Sequence, residues 1–149
     1  MPFDELTAYL HLHIPLSRRL GAAAGAWDGR ALTLEAPLEP NLNHRGTAFG
    51  GSLTALAILS GWAALHLALG ARAPAAHIVI QRSAMDFDAP VEGFFSAEAT
   101  LPQGEEWERF LRALSRRGRG RIVVPSEIRC GGRVAGRHQG TYVALGAGG

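Results

Sequence analysis

From Thr47 to Leu69 the chain carries no formal charge, and no carboxylate or arginine falls between Arg45 and Arg72. That run predicts a helix over 47–69 that is apolar on every side and therefore wrapped by protein or lipid. Gly70 is placed to end it and Pro74 lies just beyond. On either side the periodicity changes. Phe3, Leu6 and Leu10 form one helical stripe over 3–13, stopped by Pro15. Residues 22–27 read as a strand, Asp28-Gly29 as a two-residue hairpin turn, and Leu32 and Leu34 alternate with polar neighbours up to Pro37 and Pro40. The β-branched run Ile78, Val79, Ile80 opens a long strand over 77–87, and Phe95, Ala97, Ala99 and Leu101 alternate through 94–101. Trp107, Phe110, Leu111 and Leu114 predict a surface helix over 105–117, with Glu105/Arg109 and Glu108/Arg112 as pairs one turn apart. Two last strands, 121–130 and 133–145, meet at Gly131-Gly132, and Pro125 predicts an edge or a bulge in the first. Connections this short favour antiparallel pairing, so the expected architecture is α+β: one antiparallel sheet curled around one buried helix.

Composition narrows this picture. A chain of 149 residues suits one domain over 1–149, and 19 Gly with 8 Pro fit many turns. All basic residues are arginine, and a net charge of +2 is small for a polyanion reader. The arginine cluster lacks interleaved aromatics, so no nucleic-acid partner is expected. Cys130 stands alone, which excludes an internal disulfide and fits a reducing cytoplasm. His66, His77 and His138 have no ligand-spaced partners, and His11 and His13 fall on different helix faces, so no metal is expected. The amino terminus has acids early and no basic region before an apolar core, unlike a secretory signal. The long apolar run approaches bilayer-spanning length. Its glycines, serines and His66, with strands that need a core, favour a protein interior over a membrane.

The densest chemistry precedes that helix: Asn43, His44, Arg45 and Gly46 lead into Gly50-Gly51-Ser52. Backbone N–H groups at a helix start lack intrahelical partners and sit at the positive end of the macrodipole, which suits a developing anion. Asn43 supplies both donor and acceptor, either to a reacting water or to an Asx turn. His44 is either a general base or a surface histidine. Ser52 has no base placed beside it by any motif, and His66, His77 and His138 read as structural. On a strand over 77–87, Arg82, Asp86 and Asp88 share a face. They salt-bridge across a dimer or contact substrate. Arg109, Arg112, Arg116, Arg117, Arg119 and Arg121 form either a solvated helix end or a dock for phosphates or an acidic protein.

Asn43-His44, Gly46-Thr47, Phe49-Gly50-Gly51-Ser52-Leu53, the later Gly61-Trp62 and the step Asp86-Phe87-Asp88-Ala89-Pro90-Val91 together resemble the YiiD carboxy-terminal-domain family of thioesterase-like proteins, within the hot-dog fold. The resemblance covers most of the chain. It implies acyl thioesters carried on coenzyme A or acyl carrier protein, with no cofactor beyond the coenzyme A or phosphopantetheine of the substrate. It also implies a homodimer or dimer of dimers whose protomers share a site. With the chemistry of the loop, the expected catalytic groups are Asn43, His44 and the Gly51 N–H, and the expected substrate-binding residues are Gly46, Thr47, Phe49, Gly50, Ser52 and Arg82. One departure stands out. Broader hot-dog thioesterases often carry an Asp or Glu about two turns after the paired glycines, where this chain has Ala57, Ile58 and Leu59. Hydrolysis of an acyl thioester is the expected reaction. Decarboxylation of a malonyl thioester, which needs no base, and non-catalytic acyl binding are the alternatives.

Overall fold

Alternating positions become strands and the uncharged run becomes a core helix in a computed structural model that describes residues 3–70, 73 and 76–146. The amino-terminal helix α1 (Phe3–His13) is followed at once by α2 (Pro15–Leu20). Pro15 therefore ends one helix and opens another, since its missing N–H costs nothing in a first turn. Strands β1 (Ala23–Trp27) and β2 (Ala31–Ala36) form a hairpin whose turn spans 28–30 rather than Asp28-Gly29 alone, because Asp28 Oδ1 accepts the N–H groups of Arg30 and Ala31 at 2.8 and 2.7 Å. The core helix α3 (Gly50–Leu69) begins three residues later than the pattern suggests, because residues 42–48 form a closed loop of their own. Pro74, the expected stop signal, lies outside the described residues. Then come β3 (His77–Phe87), β4 (Phe95–Thr100), α4 (Glu105–Arg117), β5 (Arg119–Cys130) and β6 (Arg133–Leu145).

The six strands form one sheet in the order β1-β2-β4-β5-β6-β3, and every pairing is antiparallel. Pro125 marks neither an edge nor a bulge: β5 is central and its register shift falls at Ile128/Arg129. The proline is tolerated where β4 stops, since pairing with β4 ends at Ala99 opposite Ser126. Gly131 and Gly132, at φ 58° and 79°, make the turn between β5 and β6, a backbone shape that disfavours side chains.

The sheet can curl tightly because many of its inward residues are small. Ala97, Ala99, Gly120, Ser126, Gly136, Gly140 and Ala144 are all buried. Ten residues of α3 are buried, so the surface that length and hydropathy alone would suit to a bilayer is taken up by protein. Three polar contacts fix the helix. The Tyr142 hydroxyl donates to Ile58 O (2.9 Å), Trp62 Nε1 donates to Ile78 O (2.9 Å), and Ser60 Oγ donates to Ala57 O (2.7 Å) beside Ser126 Oγ. Burial pushes the Tyr142 phenol well up, so it stays a neutral donor. This helix wrapped in a curved antiparallel sheet is the hot-dog fold.

Candidate functional site

The segment before α3 is built on two asparagines. Asn41 is buried, its Nδ2 donates to Leu20 O and Pro37 O, and its backbone carbonyl accepts the Phe49 N–H at 2.7 Å. A bridge between Leu42 and Ala48 closes the loop, and Ala48 N–H donates to Val91 O at 2.8 Å. Inside the loop Asn43 uses its whole amide. Oδ1 accepts the N–H groups of Arg45 (2.8 Å) and Thr47 (3.1 Å), while Nδ2 donates to Thr47 Oγ1 (2.7 Å) and Ala48 O (3.3 Å). Two donors and two lone pairs are all that an amide has. Asn43 therefore shapes the loop as an Asx-type turn, with Gly46 turning the chain at φ 80°.

At the helix start, Phe49 is extended and offers no side-chain cap, while Ser52 and Leu53 N–H both donate to Phe49 O. Gly50 and Gly51 N–H find no acceptor among the described residues. Two aromatic rings flank this bare turn. A Cβ on Gly50 would lie 3.3 Å from the Phe87 ring, and one on Gly51 would run into the Phe49 ring. Both phenylalanines are more than half exposed, at 56% and 58%. The turn thus offers two unpaired donors at the positive end of a 20-residue helix between apolar walls, an arrangement that stabilises charge on a carbonyl oxygen.

Asn43, His44, Gly46, Thr47, Phe49, Gly50, Gly51 and Ser52 are thus gathered in one segment. His44 is exposed, and its ring makes no hydrogen bond among the described residues. Arg82 is not gathered with them. It stands five residues from Phe87 along β3 and makes no salt bridge among the described residues. Arg82 and Asp86 share the outer face of β3, since the register runs unbroken from Arg82 to Phe87, but Asp88 lies past the strand, where Arg137 grips its carboxylate at 2.9 and 3.2 Å. That bond holds the exposed Asp88 carboxyl below its ordinary range.

Arg82 lines a groove of about 990 Å³ between α4 and the outer face of the sheet, together with Glu106, Arg109, Arg117 and Arg121. Arg119 lines the adjoining hollow, and Phe110 and Val123 contribute apolar lining to the groove itself. Of the two ion pairs expected along α4, Glu105/Arg109 is loose at 3.9 Å and Glu105 instead holds Arg112 at 3.0 Å. Among the described residues no group of three acids, histidines or cysteines is arranged to hold a metal ion.

One polar pair has no counterpart in the sequence reading: Ser83 Oγ on β3 lies 2.7 Å from His138 Nε2 on β6. The two residues are 55 apart in sequence, and only the β3–β6 register joins them. Burial holds the His138 imidazole below its ordinary value of 6.5. His66, stacked between Tyr9 and Trp62, is lowered too, by burial first and then by the charge of His13. Groups harder to protonate when folded bind fewer protons than the unfolded chain below pH 6.5. Stability contributed by these histidines is therefore complete above about pH 6.5 and declines as pH falls below it. Melting temperatures across that range check this, and His138→Gln should flatten the acid-side decline.

A family model described as "Putative thioesterase (yiiD_Cterm)" matches residues 3–146. The chain belongs to this family. Among solved structures, a Chlorobaculum tepidum protein of unknown function is 29% identical, with a TM-score of 0.87 over 97% of this chain and 94% of the other. A Shewanella oneidensis protein given the same thioesterase description is 23% identical, with a TM-score of 0.84 over 96% of each chain. A Pseudomonas aeruginosa protein described as a probable thioesterase is 22% identical, with a TM-score of 0.82 over 99% of this chain and 97% of the other. The last two likenesses establish the fold. Membership of the thioesterase family supplies the chemical class, a hydrolase acting on thioesters.

Proposed function

We propose that the protein hydrolyses acyl thioesters carried on coenzyme A or acyl carrier protein, with the Gly50-Gly51 turn receiving the thioester carbonyl. The observation that carries this reading is the pair of unpartnered glycine N–H groups at the start of α3, held in place by the Asn41 and Asn43 hydrogen bonds. Attack by water places negative charge on the carbonyl oxygen, and fixed donors there lower the barrier without reorganising. Gly51 N–H is the main oxyanion donor, Asn43 positions the loop, and His44, Gly46, Thr47, Phe49 and Ser52 form its substrate-facing rim. Coenzyme A or phosphopantetheine enters only as part of the substrate, a chemistry that fits a cytoplasmic setting.

A second reading rests on Ala57, Ile58 and Leu59, which leave this turn of α3 without a carboxylate. Loss of carbon dioxide from a malonyl thioester generates an enolate at the same oxygen and needs no base. A panel of acyl and malonyl thioesters separates the readings. Free thiol without carbon dioxide is the expected result; carbon dioxide with the thioester intact favours decarboxylation, and tight binding with neither product makes this a binding module.

The quaternary proposal is a homodimer formed along β3. This 11-residue strand ends the sheet, so one of its sides has no in-chain partner, and it exposes Val79 and Phe87. Long edges of this kind are templates for strand pairing. The arginine groove is proposed as the dock for the anionic part of the carrier. Five arginines against Glu106 give it a formal +4 in a chain of net +2, leaving −2 for the remainder. Arg117→Glu combined with Arg121→Glu should raise KM about tenfold at low salt with little change in kcat, because these charges act on encounter. The difference should fade as ionic strength rises.

A further inference from the structure

The first turns of α3 carry no carboxylate to serve as a base, and the sheet holds an imidazole at that level. Ser126 is the register partner of His138, and its Oγ lies 3.4 Å from Ala57 O, seven residues into α3 from Gly50. That is about 10 Å down the helix at 1.5 Å per residue. Ser83, exposed on β3, is four residues from Phe87, whose ring adjoins Gly50, or about 13 Å at the rise of a strand. Ser83 and His138 thus lie level with Ala57 and Ile58, a turn of α3 that holds no carboxylate. His138 is 2% exposed and its Nδ1 has no partner, whereas Ser83 faces solvent. No charged neighbour in the strands shares their side of the sheet. Arg137, Glu127 and Asp86 alternate with His138, Ser126 and Met85 onto the outer face. On α3, Ala57 and Ser60 are uncharged.

We infer that Ser83 and His138 form the proton-transfer pair of the thioester site, serving the glycine turn of a second copy bound along β3. This rests on the hydrolase reading above. About 13 Å of strand separates Ser83 from Phe87, the residue that adjoins the chain's own Gly50, so we place the pair out of reach of its own glycine turn. Antiparallel self-pairing of β3 with Phe87 opposite Ser83 brings the turn of one copy to the pair of the other. In the step itself, water gives a proton to Ser83 Oγ while the Ser83 proton passes to His138 Nε2. The water oxygen bonds to the acyl carbon, the C–S bond breaks, and the proton returns through Ser83 to the departing thiolate. Thioester and water become acid and thiol, with nothing else consumed. Ser83 touches the reacting water; His138 acts through it.

Two measurements test this. With any acyl thioester that the wild type turns over, Ser83→Ala and His138→Gln should each lower kcat by about 10²-fold, the usual scale for a lost proton-transfer group. Co-expressed Ser83→Ala and Asn43→Ala chains should recover activity, because each mixed dimer regains one intact site. Unchanged kcat in Ser83→Ala overturns the inference, and absence of recovery in mixed dimers overturns its cross-dimer form. The second measurement is independent of turnover and so remains decisive if no thioester is cleaved, a result that would sink the hydrolase reading by itself. In a Cys130→Ser background, Ser83→Cys should react with iodoacetamide at pH 7 at least tenfold faster than the same chain carrying His138→Gln, since a neighbouring base favours the thiolate. Equal rates would show that the imidazole accepts no proton from position 83, and the inference fails.

Discussion

Tyr142→Ala should cost about 3–5 kcal/mol, the range for removing a fully buried aromatic ring. For a chain of this size that is a fall of roughly 10 °C or more in melting temperature. The ring is 0% exposed near the end of β6 and fills the space that Gly61 leaves on α3, where a Cβ would lie 2.7 Å from Tyr142 Cζ. Its hydroxyl also ties the helix to the sheet through Ile58 O. The cause can be isolated with a double-mutant cycle. Gly61→Ala should destabilise the wild type, because a buried ring cannot swing aside, and should be far less harmful once Tyr142 is alanine. Additive effects in calorimetry would mean that the ring and the glycine do not meet.

Asn43→Ala should cut kcat on thioesters by about 10²-fold while removing only about 1–2 kcal/mol of stability. The small stability cost reflects hydrogen bonds in a half-exposed loop, each with a modest net value. The larger kinetic cost follows from position. Four bonds from one amide set the path of residues 43–48, and that path delivers Phe49 and the two glycine N–H groups to the start of α3. A displacement of about 1 Å at a reacting carbonyl is enough for such a loss. Asn43→Asp should not rescue activity, since a carboxylate cannot donate to Ala48 O. Stopped-flow or steady-state thiol release with parallel melting curves checks both numbers. Loss of stability without loss of kcat would confine Asn43 to folding.

The fold was legible because its two periodicities are clean. An uncharged run leaves a helix nowhere to go but inside, and alternation with short Gly or Asp-Gly turns leaves antiparallel pairing as the economical arrangement. The boundary at Thr47 was misplaced because helix-compatible residues before Gly50 are held by tertiary partners, the carbonyls of Val91 and Asn41. Pro125 misled for a related reason: a central strand tolerates proline where its neighbour stops short. The loop of the candidate site could be read from its own letters, since Asn43, Gly46 and the paired glycines lie within nine residues of each other. Ser83 and His138 could not. A serine in a strand and a lone histidine carry no local signal, and a register bulge between Ile80 and Arg82 helps decide which side of β3 the serine takes.

Tyr142, Trp62 and Ser126 tie α3 to the sheet, which holds the helix against sliding or rolling. Thr54, Ile58 and Trp62 follow one another at one-turn spacing along a half-buried stripe of α3, so side-chain changes there alter the space beside the helix without moving it. Under the proposed hydrolase reading, acyl length would be tuned by trimming or thickening this stripe, with the scaffold itself left rigid.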